Sequence, residues 1–256
     1  MRAFTSFVKK EWLEQRRTGK LVMLLAVFVL FGIMNPAIAK LTPWLMETLS
    51  ESLAQSGMTV TAYEVTALDC FAQFYKNMPI ALIVFILAEC GIFTKEYGAN
   101  TLVLCLTKGL SRRKVMLAKT AVLFALWTVL YFICFAVTYA YSIYFWDNSV
   151  VGSLGFGVFS WWLLGMLAVA LIPFFSAFFS ANTGVAAGVG AVFGGAYLLG
   201  MIPAIKKYSP AFLMKTAPLM YSQAESGEYI YSVVITAVLC VAATVCALPV
   251  FDKKQL

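Results

Sequence analysis

The chain of 256 residues is 62% hydrophobic and only 12% charged, with mean hydropathy +0.85 and net charge +7. Soluble domains carry roughly 25% charged residues, and a core at this length cannot absorb so much apolar surface, whereas a bilayer can. The absence of histidine excludes imidazole acid–base chemistry and histidine metal sites, and the basic residues cluster beside apolar runs, so lipid and topology account for them better than nucleic acid does.

Residues 4–18 read as a helix preceding the first apolar run. On a helical wheel Phe4, Phe7, Val8 and Trp12 share one face, flanked by Lys9, Lys10, Arg16 and Arg17. This pattern suits an amphipathic helix in the headgroup layer. Glu11 projects from the same face, between Phe4 and Phe7. Either it snorkels to water or, since a lone carboxylate pressed toward lipid is costly, it pairs with a cation of the 95–119 segment.

Charged residues then divide the chain into six expected spans: 21–39, 77–93, 120–146, 150–179, 184–205 and 229–251. The 58 uncharged residues from Asn148 to Ile205 are too many for one crossing, and Ser180-Ala181-Asn182-Thr183-Gly184 supplies the break. Ala37-Ile38-Ala39 has the form of a signal-peptide cleavage site, but the leading region is long and carries Glu11 and Glu14, so the first run is read as a retained span. Between the first two spans, Trp44, Leu45, Leu49 and Leu53 suggest an amphipathic helix, and residues 63–75 a second one. Lipid-exposed irregular backbone would leave amides unsatisfied, so all six runs are helices and the fold class is an all-α polytopic membrane protein, one transmembrane domain over residues 1–256.

Fourteen Lys and Arg residues lie on one side of this topology and five on the other. The positive-inside rule places both termini in the cytoplasm. The six cysteines show no CxxC pairing and read as small hydrophobic residues.

Three features within the membrane invite a functional reading. Glu89 is the single formal charge well inside a span, a candidate for proton coupling or for a cationic substrate. It lies toward the cytoplasmic end, six residues from Lys95, which favours a structural ion pair or a snorkelling acid. Gly184/Gly188 and Gly190/Gly194 have the G-x-x-x-G spacing of close helix packing, either against a partner subunit or within this one. Pro173 is expected to kink the fourth span or free a carbonyl, and Trp161, Trp162, Phe174, Phe175, Phe178 and Phe179 either line an apolar path or pack.

The segment between spans two and three is the richest in signals. Leu102, Cys105 and Leu106 have helical spacing, Gly109 suits the position past the end of that short helix, and Ser111 suits the cap of the next. This segment resembles the cytoplasmic loop of ABC-2 type permeases, which carry an acidic residue, a Gly-Thr-Leu-like helix start, a Leu-rich turn and a (Pro/Gly)-x-Ser-Arg step leading to a Lys. The matching positions are Glu96, Gly98, Thr101, Leu102, Leu106, Gly109, Ser111, Arg112 and Lys119. The layout is similar as well: an amphipathic elbow helix, six spans and a larger loop, 206–228, before the last. Ala99-Asn100 and Gly109-Leu110 depart from the family pattern.

The resemblance implies a permease in the bacterial cytoplasmic membrane, with the coupling helix of this loop seated on an ATPase. Glu11, Glu96, Gly98, Thr101, Leu102, Cys105, Leu106, Lys108 and Arg112 are the expected ATPase-coupling residues. The implied partners are two copies of an ABC ATPase subunit, a second permease chain (homodimer or heterodimer) and membrane lipids. No Gly-x-x-x-x-Gly-Lys-(Ser/Thr) loop is present, so ATP and Mg are expected on the ATPase and no cofactor or catalytic residue in this chain. The expected function is export of a hydrophobic or amphipathic substrate such as an antimicrobial peptide, drug or lipid-like molecule. The alternatives are an ion-coupled secondary transporter, against which the lone off-centre Glu89 and the lack of a clear repeat argue, and a non-transporting sensor or scaffold.

Overall fold

The computed structural model describes residues 2–54, 64–98 and 111–253. Nine α-helices occur among them: α1 (Arg2–Arg17), α2 (Lys20–Ala54), α3 (Ala67–Glu89), α4 (Gly91–Gly98), α5 (Arg112–Phe145), α6 (Leu154–Phe178), α7 (Asn182–Leu199), α8 (Ala217–Met220) and α9 (Ile230–Lys253). No strand occurs among the described residues. Six segments are long and apolar enough to cross a membrane: Lys20–Thr48, Ala67–Glu96, Arg112–Phe145, Leu154–Phe178, Asn182–Leu199 and Ser226–Asp252. The protein is an all-α polytopic membrane protein.

Several boundaries differ from the expected ones. The helix expected over 21–39 continues to Ala54, absorbing the amphipathic stretch expected after it, through Pro36 and Pro43. A proline removes the amide that would bond the carbonyl four residues back, which for Pro36 is Gly32. That carbonyl accepts instead from the Thr138 hydroxyl of α5 at 3.1 Å, so the helix continues without an orphaned acceptor. The second span begins at Ala67 rather than 77, because neither charge in the intervening stretch breaks it. The Asp69 carboxylate accepts the Thr66 backbone N–H at 2.9 Å at the helix start, and Lys76 is exposed. The fifth span stops at Leu199 rather than 205, since Gly200 and Pro203 do not continue a helix. The chain does break before Asn182, with Ala181 as the cap residue of α7. Helix α6 runs unbroken through Pro173.

Trp127 of α5 is the hub of the core. Its ring meets Phe28 of α2 at 6.0 Å and Phe85 of α3 at 5.5 Å, both edge-on. Its indole N–H donates to the Trp162 carbonyl of α6 at 3.1 Å. Gly165 makes the α5–α6 approach possible, because a Cβ there would lie 2.0 Å from the Trp127 ring. Of the aromatics expected to line a path or pack, Trp161 is buried and Phe178 and Phe179 are exposed.

The 206–228 connection is a chain of short turns folded against α6, α7 and α9. Phe212, Leu213, Leu219 and Met220 are buried there. Phe212 stacks on Tyr229 at 4.5 Å, the Tyr229 hydroxyl donates to the Lys215 carbonyl at 2.7 Å, and Ser209 donates to the Ala196 carbonyl of α7 at 2.6 Å.

Candidate functional site

The elements that flank residues 99–110 converge at one end of the bundle. Gly19, with φ of +73°, turns the chain sharply between α1 and α2. This folds α1 back along α5. The face that α1 then buries carries Phe7, Glu11 and Gln15, a spacing of four residues that keeps all three on one stripe.

The cation that Glu11 meets is Lys119 of α5. Nζ lies 2.6 Å from Glu11 Oε2 and 3.1 Å from Glu96 Oε1 of α4. Lys119 is 1% and Glu11 3% exposed. Charges so buried persist only when paired, and here the pairing ties α1, α4 and α5 together. Lys10 extends the network at the surface, with Nζ 3.0 Å from Glu11 Oε1, 3.0 Å from Glu14 Oε2 and 3.3 Å from Glu96 Oε1. The ligand atoms of Glu11, Glu14 and Glu96 lie within 4.8 Å of one another, a grouping that could hold a metal ion. The Lys10 ammonium already stands among them. Partial burial pulls the Lys10 ammonium down, but the hydrogen bond and charge of Glu11, with Glu14 and Glu96, outweigh it and raise its pKa. Burial likewise pushes Glu14 up, and its bond and charge contact with Lys10 outweigh that and lower it below the ordinary 4.5.

Glu89 anchors a second, adjoining knot. It is completely buried at the end of α3, and its partner is not Lys95. The carboxylate accepts from Gln15 of α1 at 2.7 Å and from Lys20 of α2 at 3.5 Å. A cleft of about 70 Å³ separates the two knots, lined by Glu11, Gln15, Lys20 and Glu96 among others.

Two further ties complete this end. Thr94 of α4 hydrogen-bonds Asn182 at the start of α7. Arg113 at the start of α5 meets Asp252 of α9 at 2.5 Å, and Arg112 Nη1 donates to the Asp252 carbonyl at 3.3 Å. Among the expected coupling residues, then, the structure places Glu11 and Glu96 in one network, sets Gly98 at the end of α4, and holds Arg112 against α9. Thr101, Leu102, Cys105, Leu106 and Lys108 lie outside the described residues.

The glycine motif of α7 divides in two. A Cβ at Gly184 or Gly188 would press on Phe179 or Phe175 of the preceding helix and turn, at 3.0 and 2.6 Å, whereas one at Gly190 or Gly194 would meet nothing within 4 Å among the described residues. The first pair packs inside this chain, and the second faces outward.

Sequence reasoning did not find a buried polar network at the other half of the bundle. Asn77 of α3 donates to Asn35 of α2 at 2.7 Å, and Asn35 donates to Thr138 of α5 at 3.0 Å. Asn35 and Thr138 are fully buried. The available signal was Asn35 immediately before Pro36, a polar residue beside a helix carbonyl in need of a donor.

A family profile described as ABC-2 family transporter protein matches residues 6–256. No curated protein gives a significant match.

Proposed function

The chain belongs to the ABC-2 transporter family, and from that membership we propose that it is the permease of an exporter which moves a hydrophobic or amphipathic substrate out of the cytoplasm. Family membership makes it the membrane subunit of an ABC transporter that works with an ABC ATPase. The proposal adds direction, cargo class, two ATPase copies that bind the ATP and Mg, and a second permease chain of the same or a related sequence.

The observation that carries it is the mount around residues 99–110. Helix α4 leads into this segment and α5 leaves it. Both are bound to α1 through the same buried ions, Glu11, Glu96 and Lys119. A loop that only sets topology has no need of a buried three-helix ion network at its two ends. A loop that receives force does, because force is transmitted as rigid-body motion only through elements that do not yield. The basic excess at this end, with the positive-inside rule, supports a reading in which it and both termini face the cytoplasm, and the family resemblance supports a bacterial cytoplasmic membrane. Glu89, held by Gln15 and Lys20 at the same end, serves this mount and supports no ion-coupled reading.

The test is reconstitution in vesicles with the candidate ATPase and single cysteines placed through residues 99–108. The expected result is ATP-dependent movement of an amphipathic peptide, with crosslinks from these positions to the ATPase. Transport that persists without ATP hydrolysis, or crosslinks formed only elsewhere, would overturn the proposal.

A further inference from the structure

At the end of the bundle opposite the ion network, α3 and the 206–228 connection line an open cavity of about 380 Å³. That is within the range of small-ligand sites, roughly 300–1,000 Å³. Its wall is apolar over Ala72, Met214, Pro218 and Met220. Two lysines, Lys76 from α3 and Lys215 from the connection, also line it, and none of its described lining residues is acidic. Both lysines are exposed, and neither is in an ion pair among the described residues.

Tyr75, Thr216 and Tyr221 are the other polar members of the lining. The cavity's level is fixed by helix rise. From Lys76 to Lys95 the chain climbs about 28 Å at 1.5 Å per residue, close to the ~30 Å of a hydrocarbon core. Lys76 therefore stands where chain and headgroup regions meet.

We propose that this cavity binds an anionic amphiphile, its acidic headgroup between Lys76 and Lys215 and its apolar chain along Ala72, Met214, Pro218 and Met220. Charge selects the headgroup, since two ammoniums without an ion-pair partner among the described residues attract an anion, and no carboxylate among the described lining residues repels it. Position selects the amphiphile, since a free anion would leave the apolar wall unused. The occupant is either a lipid of that leaflet or a soluble amphiphile. The inference is independent of the export reading, because binding is measured on the purified chain without ATPase or transport.

The probes are decyl phosphate, inorganic phosphate and decyl maltoside, titrated onto the protein in phosphatidylcholine nanodiscs. Decyl phosphate is expected to bind saturably, with at least tenfold weaker affinity in Lys76→Gln/Lys215→Gln. The charge-matched control Lys206→Gln/Lys207→Gln is expected to bind within about twofold of the parent. Equal binding by the Lys76/Lys215 variant overturns the site, and so does decyl maltoside binding as tightly as decyl phosphate, or inorganic phosphate doing so. Repeating the titration with phosphatidylglycerol in the nanodisc separates the sources. Competition identifies a membrane lipid as the occupant, and undiminished decyl phosphate binding identifies a soluble amphiphile; both support the site.

Discussion

The residues of the ion network are not equal, and burial ranks them. Glu11 and Lys119 are almost wholly withdrawn from water, whereas the Lys10 side chain is 47% exposed. Removing one partner of a buried pair strands the other, at a cost of about 3–5 kcal/mol, while an exposed pair contributes about 1 kcal/mol or less. Glu11→Gln is therefore expected to lower the melting temperature of the detergent-solubilised protein strongly, and Lys10→Met only slightly. Similar losses in the two variants would contradict this ranking. The pH dependence follows from the same groups. Glu14 is held below its ordinary value, so its contribution is present above 4.5 and lost as pH falls through its lowered pKa. Lys10 is raised, so its contribution is present below 10.5 and lost only in stronger alkali. A melting-temperature scan should thus show no loss from these two groups between pH 5 and pH 10, and an onset at pH 6 would count against the assignment. For Glu89, substitution by glutamine retains one acceptor for Gln15 but leaves Lys20 without its charge. Transport per folded molecule is expected to survive Glu89→Gln, and its loss without unfolding would restore a coupling role to this residue.

At the scale of the helix, close approach and open face make opposite demands on glycine. A methyl at Gly165 falls 2.0 Å from the Trp127 ring, and overpacking of this kind has a cost of about 1–3 kcal/mol. At Gly190 a methyl meets nothing within 4 Å among the described residues, and alanine gains up to about 1 kcal/mol of helix propensity. Gly165→Ala should lower the melting temperature and Gly190→Ala should leave it equal or higher. The reverse order would refute the packing described. Element boundaries were legible where charge met apolar runs, and illegible where a charge or proline could be accommodated. Lys76 looked like the start of a helix but rides on the exposed side of α3, which begins nine residues earlier. Pro36 lies inside the expected first span, and Thr138, about a hundred residues downstream, supplies the donor that the Gly32 carbonyl needs. Such repairs are long-range and leave no local trace. The Glu11 partner was foreshadowed because a single carboxylate on an apolar face demands one. Lys20 as the partner of Glu89 was hidden by its adjacency to nothing but the chain's own turn.

Over the whole molecule, α1 ties four other helices together at one end of the bundle. It packs on α5 and α2, and through Glu11, Gln15 and Lys10 it reaches α3 and α4. Deleting residues 2–17 leaves Glu89 without its glutamine and Lys119 with one carboxylate instead of two. The deletion is expected to reduce the yield of monodisperse protein severalfold by fluorescence size-exclusion chromatography, whereas deleting the apolar packing alone, as Phe4→Ser with Val8→Ser, should reduce it less. A full yield from the truncated chain would show the mount to be dispensable. The length of α2 adds a last consequence. It starts at Lys20, within the ion network, and runs unbroken to Ala54, about 52 Å at 1.5 Å per residue against a ~30 Å hydrocarbon core. Its base is clamped at the end where the ATPase is proposed to dock, and its length carries its tip beyond the far side of the bilayer. As a lever of that length, tilting by 10° about its base sweeps the tip through about 9 Å, enough to carry a displacement smaller than a helix diameter at one surface to an opening at the other.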